Sequence, residues 1–98
     1  MRIEVYGKQE CGLCKSATRK VTLFLDKNDL GEQVPISFMD VETENGAAEG
    51  DFYDVFEIPS VLLLSDEDRV LARWETKPPS SEDLRAHLCV EEGRYAAA

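Results

Sequence analysis

Apolar and polar positions alternate from the second residue onward. Arg2-Ile3-Glu4-Val5-Tyr6 has the period of two that predicts a short strand, and Gly7 to Glu10 reads as the turn that ends it. The period then changes. From Cys14 the apolar positions recur at Ala17, Val21, Phe24 and Leu25, with Lys15, Arg19, Thr22 and Asp26 on the other side. That three-and-four spacing predicts a helix with one buried face, ending near Asn28 and before Gly31. Residues 34–41 (VPISFMDV) return to alternation and predict a second strand, with Pro35 at its start, where a missing N–H is tolerated. The acidic stretch 42–57 contains two glycines and supports only a short helix over about 46–55.

Pro59-Ser60-Val61-Leu62-Leu63-Leu64 is a continuous run with the length of a buried strand. Asp66-Glu67-Asp68 makes a charged turn, and residues 69–75 form a further strand with Val70, Ala72 and Trp74 on one side. So short a connection makes these two strands antiparallel. Pro78-Pro79 ends the last strand. Ser80 or Ser81 caps a final helix with an acidic first turn, Leu84 and Leu88 mark its core face, and Gly93 is its stop. The order β-α-β-α-β-β-α predicts an α/β domain over residues 1–93, a four-stranded mixed sheet with about three helices, and a tail at 94–98 that frays. Right-handed crossover makes the first two strands parallel neighbours with helices on both faces.

Composition and charge then narrow the functional classes. The chain is 43% hydrophobic and 32% charged, the balance of a folded domain rather than a disordered one, and its 98 residues hold one modest core. A formal net charge of −9 repels phosphate backbones and anionic headgroups, so neither nucleic acid nor a membrane surface is an expected partner. The first residues enter the alternation with no secretory pattern, and no stretch approaches the ~18 apolar residues of a membrane span, so the cytoplasm is the expected location. The charge is also uneven. Lys8, Lys15, Arg19, Lys20 and Lys27 stand against only Glu10 and Asp26 over residues 8–27, whereas residues 40–58 hold acids and no base. That acidic run is ordinarily a solvated face; leading into Pro59, it also suits basic partners.

Three cysteines are too few for the disulfide framework of a small secreted domain, and a close pair in a reducing compartment points to catalysis or metal binding. Cys11 and Cys14 leave three readings open: a redox dithiol, half of a metal site, or a structural pair. Cys11 falls where the first helix begins, so unpaired N–H groups and the positive end of the helix dipole favour its thiolate. Lys8 and Lys15 bracket the pair and act in the same direction, while Glu10 opposes them. Cys14 falls one turn further in, on the apolar face, and is expected to be shielded. An exposed attacking thiolate beside a covered resolving thiol is what disulfide exchange needs. Tetrahedral zinc wants four ligands, and the chain adds only His87 and Cys89, which point about 200° apart on a helix. No metal or bound cofactor is therefore expected. Cys89, His87 and Trp74 are expected to be structural.

The strand, the turn, the Cys-x-x-Cys at a helix start and the Ile58-Pro59 that opens a buried strand together resemble the thioredoxin superfamily over roughly residues 2–90. Val5-Tyr6-Gly7-Lys8-Gln9-Glu10-Cys11-Gly12-Leu13-Cys14 is similar to the glutaredoxin opening; Asp40-Val41-Glu42 and Tyr53 through Leu64 are more similar to thioredoxin. The resemblance implies a thioredoxin fold and a monomer that reduces protein disulfides through Cys11 and Cys14, recycled by a separate reductase. It also implies a cis Pro59 beside the dithiol, with Ile58 docking the substrate. Three departures bear on this. Glu10 replaces the aromatic that precedes the first cysteine in thioredoxins, and Val5 replaces their buried acid, leaving Glu4 or a water to accept the proton from Cys14. Glycine is absent between Gly50 and Gly93, so the Gly-Gly and acidic pair with which glutaredoxins hold glutathione is missing. A binding or metal-carrier module on the same fold, and a glutathione-dependent enzyme, are the alternatives.

Overall fold

Strand β1 (Arg2–Gly7) lies between β2 (Ile36–Asp40), which it pairs in parallel, and β3 (Ser60–Leu64), which it pairs antiparallel. The computed structural model describes residues 1–88 and the backbone of residues 90, 91, 94 and 95. Strand β4 (Val70–Glu75) adds antiparallel to β3 and completes a four-stranded sheet of order β2-β1-β3-β4. Helices α1 (Gly12–Lys27), α2 (Glu44–Phe52) and α3 (Ser81–Leu88) cover it. The four strands, three helices and their order follow the alternation read in the sequence.

Period-two alternation sends the side chains of β1 and β3 to two different layers. Ile3, Val5, Val61 and Leu63 face α1 and α3, where Ala17, Val21, Phe24, Leu25, Leu84 and Leu88 complete a buried cluster. Tyr6, Leu62 and Leu64 face the other way, toward Tyr53 at the end of α2. The amphipathic reading of α1 holds: Cys14, Ala17, Val21, Phe24 and Leu25 are its buried residues. Helix α3 starts with a reciprocal cap. The Ser80 hydroxyl accepts the Asp83 N–H at 3.1 Å, and the Asp83 carboxylate accepts the Ser80 N–H at 3.1 Å.

The structure differs from the sequence reading in three places. Helix α2 begins at Glu44 and ends at Phe52, earlier than the 46–55 expected, because the Thr43 hydroxyl caps it by accepting the Gly46 N–H at 3.0 Å. Gly46 does not break this helix; it lets it approach β2, since a Cβ there would overlap the Asp40 carbonyl oxygen. Strand β2 starts at Ile36, not 34, because the Val34 N–H is taken by the Leu30 carbonyl at 2.8 Å in the preceding turn. Helix α3 ends at Leu88, short of the expected stop at Gly93, because Val90–Glu91 (β5) is already extended and pairs antiparallel with Arg94–Tyr95 (β6), within the segment expected to fray. Among the described residues no helix is long and apolar enough to cross a membrane.

Candidate functional site

The turn after β1 delivers the chain to α1 through Cys11. Its N–H donates to the Lys8 carbonyl at 3.2 Å, and its extended backbone (φ −87°, ψ 108°) makes it the N-cap of the helix. The Cys11 Sγ accepts the Cys14 N–H at 3.1 Å, so sulfur occupies the place where a Ser or Asp oxygen normally satisfies an orphan helix donor. The first turn of α1 carries no acidic side chain to oppose negative charge on that sulfur. Cys11 and Cys14 are joined as a disulfide, with Cα atoms 5.2 Å apart.

The two sulfurs differ in access. Cys14 is fully buried, whereas Cys11 is half-buried and reaches the surface. What makes room for Cys14 is Gly7, the last residue of β1. A Cβ at Gly7 would lie 2.5 Å from the Cys14 Sγ and 2.6 Å from its Cβ, closer than carbon atoms tolerate. Sequence reasoning read Gly7 only as a turn residue. The available signal was positional: Ile3, Val5 and Gly7 are successive inward positions of one strand face, and the third has no side chain.

The register of β1 against β3 brings the second part of the site to the same end of the sheet. Tyr6 pairs with Ser60, so Pro59 falls one step beyond, beside Gly7 and the dithiol it cradles. The Ile58–Pro59 peptide is cis. Pro59 is buried and Ile58 half-buried, while the Pro59 carbonyl accepts the Thr76 N–H at 2.7 Å. Thr76 holds φ 64°, a left-handed conformation uncommon for a β-branched residue. Leu13, between the two cysteines in sequence, is 68% exposed, and Phe56, three residues before Pro59, is 83% exposed, so both segments present apolar surface to solvent. Lys8 and Lys15 are exposed and line a cavity of about 310 Å³ together with Gln9, Thr18, Arg19 and Phe38.

Glu4 does not stand in for a buried acid at Cys14. It lies on the α2 face of β1, where its carboxylate accepts from the Tyr6 hydroxyl at 2.7 Å and from Arg2 Nε at 3.2 Å. The physical reason is alternation, since position 4 faces away from the layer that contains α1. Trp74 packs against the α1 and α3 core and meets the His87 ring edge-on at 5.5 Å, which is a packing role for both. Cys89 lies outside the described residues. Among the described residues, no three His, Cys, Asp or Glu side chains come together as a metal site.

No family model and no curated sequence matches the chain. Solved structures do. Thioredoxin 1 of the bacterium Thermosipho africanus superposes with a TM-score of 0.66 at 22% identity, covering 89% of this chain and 89% of that one. Thioredoxin-2 of a malaria parasite gives 0.69 at 19%, covering 87% and 77%. A thioredoxin from Halobacterium salinarum gives 0.69 at 16%, covering 99% and 75%. At these identities the likeness carries the fold: the chain has the thioredoxin fold, with a disulfide-spaced Cys-x-x-Cys at the start of α1.

Proposed function

We propose that this thioredoxin-fold chain is a thiol–disulfide oxidoreductase that reduces protein disulfides. The observation that carries this reading is the asymmetry of the pair: Cys11 is a partly exposed helix N-cap, and Cys14 is wholly buried one turn behind it. In the reduced protein, the Cys11 thiolate is favoured by the Cys14 N–H, the helix dipole and the cations of Lys8 and Lys15. It attacks one sulfur of a substrate disulfide, breaking that S–S bond, forming a mixed disulfide and releasing one substrate thiolate. Cys14 then gives up its proton and attacks the Cys11 sulfur. The Cys11–Cys14 disulfide forms, and the second substrate thiol leaves. Two electrons have passed to the substrate, whose two thiols take one proton from Cys14 and one from solvent, and a separate reductase restores the dithiol. Ile58 and Pro59 dock the substrate backbone, with Leu13 and Phe56 as apolar flanks.

The test uses two single substitutions and a disulfide-containing protein substrate. Cys14→Ser is expected to accumulate a covalent complex through Cys11, visible on non-reducing gels and released by reductant. Cys11→Ser is expected to abolish reduction. Full turnover by Cys11→Ser sinks the assignment.

One observation favours a second reading of the reductant. The cavity lined by Lys8, Lys15 and Arg19 gathers three cations at the dithiol end of α1, which suits the two carboxylates of glutathione. Recycling by glutathione that is lost in Lys8→Ala, with thioredoxin reductase inactive on both proteins, supports it; the reverse pattern supports the separate reductase.

A further inference from the structure

We propose that the groove between the C-terminal half of α1 and the segment entering α3 docks an acidic peptide segment of a partner protein, anchored by apolar side chains. The groove has a volume of about 780 Å³, and its lining includes Lys20, Lys27, Lys77 and Arg85 with no carboxylate among the described residues. In a chain of net charge −9, four cations around one cavity are a local inversion of the molecular field. None of the four has a carboxylate within ion-pair distance among the described residues.

The apolar part is equally defined. Lys20, Leu23 and Lys27 stand on one face of α1 at spacings of three and four, and Leu23 is 53% exposed between the two ammonium groups. Phe24 and Leu84, both buried, form the floor beneath it, and Pro78 and Pro79 form a rigid wall. The Arg85 guanidinium sits 5.9 Å over the Phe24 ring, which places a cation directly against the apolar floor. An acidic helix or extended segment with an aromatic or leucine anchor matches both features at once: its anchor covers Leu23 and Phe24, and its carboxylates meet the rim.

Nucleic acid fits less well. Four cations on an apolar floor offer neither a phosphate-tracking stripe nor stacking aromatics, and the rest of the molecule repels it. A second copy of the chain has its own acidic α2 region, but that contact is heterologous and lacks the self-complementary patch of a two-fold dimer. Leu23 lies about 14 Å along α1 from Cys14, so an occupied groove leaves the dithiol free. Docking there tethers a partner and makes a later exchange at Cys11 intramolecular in effect. The docking itself stands independently of the redox reading.

The experiment titrates the full chain into a fluorescein-labelled dodecapeptide of Glu and Asp with Phe at two positions four apart, read by anisotropy. Saturable binding with a Kd of about 10–100 μM in ~50 mM NaCl is expected, weakening about tenfold in ~500 mM NaCl. The double variant Lys20→Glu, Lys27→Glu is expected to lose about tenfold or more, and Leu23→Ser about three- to tenfold, with reduction of a disulfide substrate that lacks an acidic segment unchanged in both. These residues are exposed, so folding is checked by circular dichroism, and Lys77→Glu on the loop provides a second charge reversal. Binding that is absent, or unchanged within about twofold in both charge-reversal proteins, overturns the proposal. So does equal binding by a peptide with Ser in place of Phe, which would mean charge alone. Competition by single-stranded oligonucleotide would assign the groove to nucleic acid, and reversible self-association abolished by Lys20→Glu, Lys27→Glu would assign it to a second copy; either replaces the proposal.

Discussion

Toward α1 and α3 the central strands present Ile3, Val5, Val61 and Leu63; toward α2 they present Glu4, Tyr6, Leu62 and Leu64. The two helices that cover these faces differ in the same way. Helix α1 attaches by burying five side chains, whereas the buried residues of α2 are two glycines, Gly46 and Gly50. With no apolar side chain of its own to bury, α2 is fixed by close backbone approach and by polar contacts around its end. Arg2 reaches Asp68 at 2.6 Å, the Tyr53 hydroxyl at 3.3 Å and Glu4, and Glu4 in turn holds Tyr6. From β4, Arg73 donates to the carbonyls of Tyr53 and Asp54. One face is therefore held by side chains that fill volume, and the other by close backbone approach and polar contacts. The face that seats Cys14 is the first.

Removing volume from the apolar face carries the largest expected effect. Leu63→Ala deletes a fully buried side chain between α1 and α3 and is expected to cost about 3 kcal/mol, read as a lower urea midpoint at unchanged m-value. A loss below about 1 kcal/mol would mean that this layer repacks freely. On the other face, adding volume is what hurts. Gly46→Ala forces a Cβ into the Asp40 carbonyl oxygen and is expected to cost about 2 kcal/mol, despite alanine being the better helix former. An unchanged midpoint would show that α2 can lift away from β2 without penalty.

This division explains which parts were legible in the sequence. Helix α1 announces itself because its burial is made by side chains, and side chains have a period. Helix α2 buries backbone, which leaves no apolar pattern, so its start was misplaced by two residues. The dithiol was legible from Cys11 and Cys14 and the helix that follows them; its cradle, Gly7, was not, because a contact made by an absent side chain has no letter. Pro59 came from resemblance, since no periodicity places residue 59 beside residue 7. The basic excess over residues 8–27 was visible as a count. Its division into Lys8 and Lys15 at one end of α1, and Lys20 and Lys27 in a groove with Lys77 and Arg85, needed three dimensions.

A smaller effect tests the polar side. Tyr6→Phe removes the donor to the carboxylate of Glu4, a residue only 7% exposed, and is expected to cost about 1–2 kcal/mol at neutral pH. The same contact sets a pH dependence. Burial, then the hydrogen bond to Glu4, hold the Tyr6 hydroxyl protonated well above the ordinary tyrosine range, and burial pushes Tyr53 the same way against the opposing charge of Arg2. A group raised in the folded state stabilises fully below its unfolded value, near pH ~10, and that contribution disappears as the pH rises toward the folded value. Stability is thus expected to be flat up to about pH 9 and to fall above pH ~10, with phenolate absorbance from Tyr6 appearing only as the chain unfolds. Tyr6→Phe should flatten that alkaline decline; an identical decline in the variant would remove Glu4 and Tyr6 as its cause.

The second glycine of α2 provides the smallest effect and reverses its sign. A Cβ at Gly50 would meet the Tyr6 ring at 3.7 Å and 3.8 Å and the Val55 Cβ at 3.8 Å, which is ordinary van der Waals contact. Nothing has to move, so the substitution acts through the helix and the unfolded chain. Alanine in place of glycine inside a helix is worth about 0.5–1 kcal/mol, from the backbone freedom that the unfolded chain no longer has. Gly50→Ala is therefore expected to raise the urea midpoint by that amount, and the new methyl adds contact with Tyr6. Because this gain is independent of the hydrogen bond from the Tyr6 hydroxyl to Glu4, it should persist in a Tyr6→Phe background. Two glycines four residues apart on one helix would then respond in opposite directions, the one beside a carbonyl losing stability and the one beside an aromatic ring gaining it. A fall in the Gly50→Ala midpoint would mean that α2 sits closer to the sheet than the Tyr6 distances allow.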